Sequence, residues 1–428
     1  MRDTQIIVGI DIGSSKIAAV IAQTQEDQVN VLGVSEAPSR GIRKGQIVDI
    51  EEAALSINAA LDSAERMAGQ SVDRVFVSLS GTHIASQNSK GIVAISQPNG
   101  EINESDVQRV LTAAGAVSMP STTRILHVLP KTFTVDGEPG IKDPTGMTGV
   151  RLEVDTHIIT ANTVSVKNIE RVLEQEAGVG VSAVVFSGFA SALSTLTETE
   201  KELGVVCVDL GSGVTNICVY VEGALSYSSV IPIGARHITN DLAIGLRISL
   251  ESAEKIKIHL SKKIAKKAKY STEIEEKSDE VDLSNLHLSE EISKVSQKTL
   301  VDGIIRPRLN ELFTMIGIEL KKSGFATQTP SGIVITGGGS LTVGAEEAAK
   351  RMLSMPVRTG VPSGVTGLID DIENPSYATA IGLLRFGMNF RSSESTPMFD
   401  NILSFFNFKM PKNITASIKK LFKSLIPR

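Results

Sequence analysis

Two short stretches of this 428-residue chain hold residues with chemistry to offer. QIIVGIDIGSSKIAAVIA, near the start, sets Asp11, Gly13, Ser14, Ser15 and Lys16 within six residues; LGVVCVDLGSGVTNICVYV, from Leu203, sets Asp209, Gly211, Ser212, Gly213, Val214, Thr215 and Asn216 within eight. Glycine lets backbone N–H groups converge on an anion with no Cβ in the way. An Asp at a strand end is placed to hold a hydrated Mg²⁺. The chemistry suits phosphate with a divalent cation. One Asp-x-Gly-Ser turn is also ordinary hairpin punctuation; two in register carry the reading.

The elements around these turns are apolar strands on either side of a tight Gly/Ser corner, which read as β-hairpins in buried sheets. Recurrence at an offset of 198 residues, with Asp11 matching Asp209, Gly13 matching Gly211 and Ser14 matching Ser212, points to two similar half-molecules. A third glycine cluster, IVITGGGSLTVGAEEAAKRM, reads as a strand over 333–336, a turn at Gly337, Gly338 and Gly339, and a helix over 341–352. Strand, glycine turn and helix start make a place where flat or anionic ligand groups can approach backbone, or a flexible αβ turn. Helices are expected over 51–68 and 106–116, and a long helical stretch over 290–322 broken at Pro307. Residues 262–289 fit no fixed motif and read as an idiosyncratic loop. Their KKIAKKAK block followed by STEIEEKSDEVD reads as a solvated excursion.

A length of 428 residues fits about two to four domains, and the composition suits a folded soluble protein. Hydrophobic residues are 41% and charged residues 21%, with aromatics at 4% and no tryptophan, so the cores must be aliphatic. A net charge of −5 and the lack of a basic, aromatic-interleaved patch in the body argue against nucleic acid as a partner. Cys207 and Cys218 sit in apolar strand-like runs and read as buried small hydrophobes, sparse enough for a reducing cytoplasm. The first apolar run is interrupted by Asp11 too soon for a signal peptide, and no run is long enough to span a bilayer.

The last sixteen residues, NITASIKKLFKSLIPR, contain no acid. On a helix, Ile414, Ile418, Leu421, Phe422, Leu425 and Ile426 fall within an arc of roughly 140°. Lys420 and Lys423 lie opposite and Lys419 at the edge, while Asn413 suits an N-cap and Pro427 a stop. RSSESTP before it reads as linker. A core helix would need a fixed groove, and nothing else speaks for a calmodulin-like partner. A helix lying in the plane of an anionic membrane fits. The segment 399–408, with four of the thirteen phenylalanines, either docks on the body or touches the membrane beside that helix.

These motifs together resemble the actin/Hsp70/sugar-kinase superfamily, in which two related α/β domains clamp ATP. Its phosphate loops look like residues 11–16 and 209–216, and its adenosine loop like 336–340, including Ser340. SAEKIKI is similar to the helix that approaches the nucleoside, with Glu254 and Lys257 matching; GARHITNDLA, opening on Gly234, resembles the turn before it. Further segments resemble the FtsA family of bacterial cell-division proteins: VFVSLSGTHIASQNSKGIV, RILHVLPKTFTVDG, GIKDPTGMTGVRLEVDTHIITA, SVKNIERVLE and ENPSYATAIGLLRFG.

The resemblance implies an actin-like two-domain ATPase fold with a small inserted α+β subdomain and a C-terminal amphipathic helix. Its divisions here would be a first domain over 1–82 and 164–200, an insertion over 83–163, a second domain over 201–390, a linker over 391–412 and the helix over 413–428. It implies ATP and Mg²⁺, the latter held through water by Asp11 and Asp209. Ser187 stands where bacterial actin relatives carry Glu. Serine without a base beside it is a poor general base, so tight binding with slow or negligible turnover is expected. The implied partners are the acidic-apolar C-terminal peptide of the tubulin-like FtsZ, through Arg308 and Glu311 of IIRPRLNEL, further copies of the chain in filaments, and later division proteins through the insertion. The implied location is the cytoplasmic face of the cell membrane at the septum. A soluble Hsp70- or kinase-like ATPase, or a purely cytoskeletal filament, is the alternative.

Overall fold

The computed structural model describes residues 5–25, 28–97, 99–270, 279–368 and 372–390, with backbone alone over 263–270. The linker, the phenylalanine cluster and the expected tail helix, with Ile414, Ile418, Lys419, Lys420, Leu421, Phe422, Lys423, Leu425 and Ile426, lie outside the described residues.

Both apolar-Gly-apolar repeats fold as antiparallel hairpins. β1 (Gln5–Ile12) pairs with β2 (Lys16–Gln25), setting Asp11 opposite Ala18, and β3 (Gln28–Pro38) extends the meander. A two-residue turn joins β4 (Ile42–Arg43) to β5 (Gln46–Ile47). α1 (Ile50–Ala68) follows, started by the Asp49 side chain accepting from the Glu52 N–H and stopped by left-handed Gly69. β6 (Arg74–Leu79) runs parallel to β1. A separate antiparallel sheet comes next: β7 (Ala85–Ala94), α2 (Glu104–Gly115), β8 (Thr123–Val135), β9 (Glu138–Ile141) and β10 (Arg151–Asn162), in strand order β7-β10-β8-β9. α2 packs on it over a core of its own that includes Ile102, Leu111, Val154 and Ile158.

The chain returns through α3 (Thr163–Arg171) to β11 (Gly180–Phe186), parallel to β6, then α4 (Ser187–Thr195) and α5 (Glu198–Leu203). The second hairpin is β12 (Val205–Leu210) with β13 (Thr215–Val221), followed by β14 (Ala224–Ile231), α6 (Arg236–Leu246) and α7 (Leu250–Tyr270). β15 (Glu280–Asp282) and β16 (Lys294–Ser296) pair, and α8 (Arg306–Ser323) leads to β17 (Ile333–Thr336), α9 (Ala345–Leu353), β18 (Val357–Thr359), β19 (Thr366–Gly367) and α10 (Ala378–Asn389). The five-stranded sheet runs β14-β13-β12-β17-β18 and the six-stranded sheet β11-β6-β1-β2-β3-β19. Alternation along β12 divides the core: Val206, Val208 and Leu210 face the cluster that includes α6 to α9, and Val205 and Cys207 face the core shared with the six-stranded sheet. Cys218 lies directly opposite Cys207; burial pushes the Cys207 thiol up to about 12 and the Cys218 thiol well above its usual value, as suits apolar filler.

Four expectations need correction. The stretch 290–322 is not one helix broken at Pro307: β16 interrupts its first part, and the helix that follows runs unbroken through Pro307. A π-helical turn over Thr299–Ile305 leads straight into it and takes up the change in winding. α9 starts at Ala345, because the glycine turn continues as a 3₁₀ turn through Leu341. The basic block after Lys262 extends α7, and the acidic block ends in β15, so this region is not a plain loop. The second half does not keep everything up to 390: β19 pairs with β3, and α10 packs on α4 and β1. Small residues permit that return, since a Cβ on Gly382 would stand 1.8 Å from the Ala190 carbonyl oxygen and one on Gly9 2.9 Å from that of Ala380.

Candidate functional site

The two hairpin turns face each other across a cleft of about 510 Å³ whose floor holds Asp11 and Asp209. Each turn closes the same way: Gly13 N–H donates to the Lys16 carbonyl and Gly211 N–H to the Val214 carbonyl, both at 3.1 Å. A Cβ on Gly13 would stand 2.6 Å from that oxygen and one on Gly211 2.8 Å from its counterpart, so both turns need glycine. The loops' backbone and the hydroxyl-bearing Ser14, Ser15 and Ser212 line the cleft, a lining that suits a run of phosphates.

Burial pushes the Asp11 carboxyl up to about 6, against the Ser78 hydroxyl that donates to it at 2.7 Å, with Asp209 raising it further and Lys16 lowering it. Burial also raises Asp209, which accepts from Asn216 Nδ2 at 2.9 Å and from Ser191 Oγ at 3.1 Å. Two acids held above their usual range in one cleft are a charge arrangement that a divalent cation relieves. No group of three or more His, Cys, Asp or Glu side chains gathers as a metal shell among the described residues. Such an ion would take its remaining oxygens from water and ligand.

Lys16 Nζ donates to Glu36 at 2.7 Å and to Ser376 Oγ at 3.1 Å, and stands 3.9 Å from the centre of the Tyr377 ring. Tyr377 OH donates in turn to Glu36 at 3.0 Å. On α7, Lys257 Nζ donates to Glu254 at 2.8 Å and to Thr239 Oγ1 at 3.0 Å, and both α7 residues line the cleft. The turn Gly337-Gly338-Gly339 closes the cleft wall, where left-handed Gly337 (φ 78°) leaves room for Asp209: a Cβ there would lie 2.3 Å from Oδ1.

The cleft therefore gathers Asp11, Gly13, Ser14, Ser15, Lys16, Asp209, Gly211, Ser212, Gly213, Val214, Asn216, Glu254, Lys257, Gly337, Gly338 and Gly339, with Ser187 at the start of α4. Three expected contacts are support instead. Thr215 is fully buried and its hydroxyl donates to the Ile233 carbonyl. Ser340 turns its hydroxyl to the Gly337 carbonyl and braces the glycine turn. Gly234 lies beneath the second loop, where a Cβ would strike the Ser212 carbonyl oxygen at 2.4 Å. Glu36, Ser80, Ser376 and Tyr377 were not found from sequence. Ser376 lies 360 residues from Lys16, and no spacing rule links the two. Away from the cleft, Arg308 Nε and NH2 grip Asp241 of α6 at 2.5 and 2.9 Å, and NH1 meets Glu311 at 2.5 Å, so its fork is already engaged.

A family model described as "SHS2 domain inserted in FTSA" matches residues 81–160, and one described as "Cell division protein FtsA" matches residues 206–382. The cell division protein FtsA of Pseudomonas aeruginosa is 41% identical over 393 residues, covering 92% of this chain and 91% of its own length. That of Bacillus subtilis is 35% identical over 386 residues, covering 90% and 84%. Among solved structures, a PilM–PilN type IV pilus biogenesis complex superposes with a TM-score of 0.61 at 18% identity over 89% of this chain and 98% of that one. MreB 5 of Spiroplasma citri bound to AMPPNP gives 0.50 at 12% identity over 90% and 96%. The structural likeness shows an actin-like ATPase fold; the sequence likeness goes further, and on it the chain belongs to the FtsA family of cell-division proteins.

Proposed function

We propose that this protein is an ATP-dependent peripheral adaptor that anchors the division ring to the membrane. The observation carrying the reading is the convergence of two like glycine turns and two aspartates, Asp11 half-buried and Asp209 buried, on one cleft in a member of this family. Backbone N–H groups of both loops and Lys16 bind the phosphates, while Glu254, Lys257 and the Gly337–Gly339 turn take the nucleoside. Asp11 and Asp209 hold Mg²⁺ through water, and the bound ion supplies charge neutralisation between the phosphates. Each sheet contributes one loop, so ATP acts as a conformational ligand favouring the closed arrangement. Among the described residues no hydrogen bond joins the Ser187 hydroxyl to a base, which supports slow turnover.

The remaining functions follow the family resemblance. Closed copies assemble into filaments, the insertion receives later division proteins, and the surface of α8 receives the FtsZ C-terminal peptide. An incoming peptide carboxylate must share Arg308 with Asp241 and Glu311. The tail 413–428 lies in the cytoplasmic leaflet at the septum. Each lysine near an anionic surface contributes about 1 kcal/mol, so one short helix anchors weakly. A filament presents many, and after the first binds the rest bind intramolecularly.

The test is liposome co-sedimentation of the full chain and of one stopped after Lys412, on anionic and neutral lipid, with and without ATP. Pelleting of the full chain alone, strongest with anionic lipid and ATP, is the expected result. If both chains stay in solution or both pellet alike, the soluble-ATPase reading moves ahead.

A further inference from the structure

One tight turn is built from a residue its geometry disfavours. Lys44 and Gly45 form the two-residue loop between β4 and β5, both in the left-handed region at φ 49° and 74°. Primed hairpin loops of this kind favour Asn, Asp or Gly at the first position, and lysine there is a strained choice. Strain of that sort beside a functional cleft, which the neighbouring Gly45 lines, is grounds for asking what the side chain does.

The tip is wedged between the two phosphate loops. Gly45 N–H donates to Ser14 Oγ of the first loop at 2.9 Å, and a Cβ on Gly45 would stand 2.7 Å from the Ser80 carbonyl oxygen. A Cβ on Gly213 of the second loop would stand 2.9 Å from Ser14 Oγ and 3.1 Å from the Lys44 Cα. Ser80 ties the same place to the second loop by donating to Asn216 Oδ1 at 2.5 Å. Lys44 thus stands where the loop tips meet, and its side chain is exposed and makes no hydrogen bond or ion pair among the described residues. Two of the lysines that line the cleft are engaged, Lys16 by Glu36 and Ser376 and Lys257 by Glu254 and Thr239, while Lys262 of α7 also lines it and is exposed.

We propose that Lys44 binds the terminal phosphate of a nucleoside triphosphate, its ammonium reaching over the contact between Ser14 and Gly213 into the cleft and so separating triphosphate from diphosphate. This rests on reading the cleft as a nucleotide site. Gly45 and Ser14 fix the backbone, and the flexible four-carbon stem brings the charge to the anion. The diphosphate lacks the group that Lys44 would reach.

The test is titration of the full-length protein with fluorescently labelled ATP and ADP, Mg²⁺ present, for the unsubstituted chain and for Lys44→Asn, Lys44→Arg and Arg43→Gln. Asparagine suits the left-handed position, so Lys44→Asn keeps the turn and its thermal midpoint should not fall. Loss of one charge-assisted phosphate contact should weaken ATP about tenfold and ADP less than about twofold. Lys44→Arg should keep the preference, and Arg43→Gln, which removes a neighbouring exposed charge, should leave both affinities unchanged. If Lys44→Asn weakens ATP and ADP equally or neither, or Arg43→Gln reproduces its effect, the assignment falls while the nucleotide site stands. If the unsubstituted chain binds neither nucleotide, both readings fall.

Discussion

The two phosphate loops are the same turn with different side-chain surroundings. Both close with one 3.1 Å backbone bond from glycine to a carbonyl three residues on, and both follow strands whose last acid faces the cleft. They part at the residue opposite the acid. Across the hairpin from Asp209 stands Asn216, which donates to it; across from Asp11 stands Ala18, which cannot. Ser78 of the neighbouring β6 supplies the missing donor. They part again at the last turn residue, Lys16 in one and Val214 in the other. The backbone cradle is shared, then, while cation and polar support are divided between the halves. A symmetric fold can hold an asymmetric ligand because side chains drift freely around a turn that only glycine can make.

That comparison breaks most visibly if its shared part is unequal. Gly13→Val and Gly211→Val each push a side chain into the turn's own carbonyl, and each should weaken ATP binding more than about 100-fold in equilibrium titration. A large loss in one and none in the other would mean that a single loop does the binding.

The acids offer the next test. Burial lifts Asp11 from 3.8 to about 6, so the metal-free folded protein holds this proton more tightly than the unfolded chain does. The stability it contributes is full below the unfolded value, shrinks as pH rises through the folded value, and amounts to at most about 3 kcal/mol. Thermal melts in chelator should show that decline, and Asp11→Asn should flatten it.

Polar support should separate the loops by a smaller margin. Asn216→Ala strips a donor from Asp209 and leaves the Ser80 hydroxyl without its acceptor, and should cost about 2 kcal/mol in denaturant unfolding. Ser78→Ala should cost about as much again, because it also removes the acceptor of the Ile12 N–H. A cost at one position only would mean that the two acids are not held alike. Least of all, Tyr377→Phe keeps the ring beside Lys16 and loses only the hydroxyl on Glu36, so ATP affinity should change less than about twofold. A larger drop would make the Glu36 hydrogen bond, rather than the ring, what positions Lys16.

The sequence by itself determined the two hairpins, their glycine turns, the paired aspartates and the third glycine turn. Those features are local: a strand's alternation and a turn's need for glycine act within a few residues, where spacing can be read. Tertiary structure alone decided that Glu36, Ser376 and Tyr377 surround Lys16, that Ser78 does for Asp11 what Asn216 does for Asp209, and that Thr215, Gly234 and Ser340 stand behind the site. It also decided that α10 returns to β1, and that a π-helical turn carries the helix through Pro307 where the sequence suggested a break. Each of these depends on contacts between segments far apart in the chain. Such contacts are set by how whole sheets and helices pack, and no local pattern encodes them.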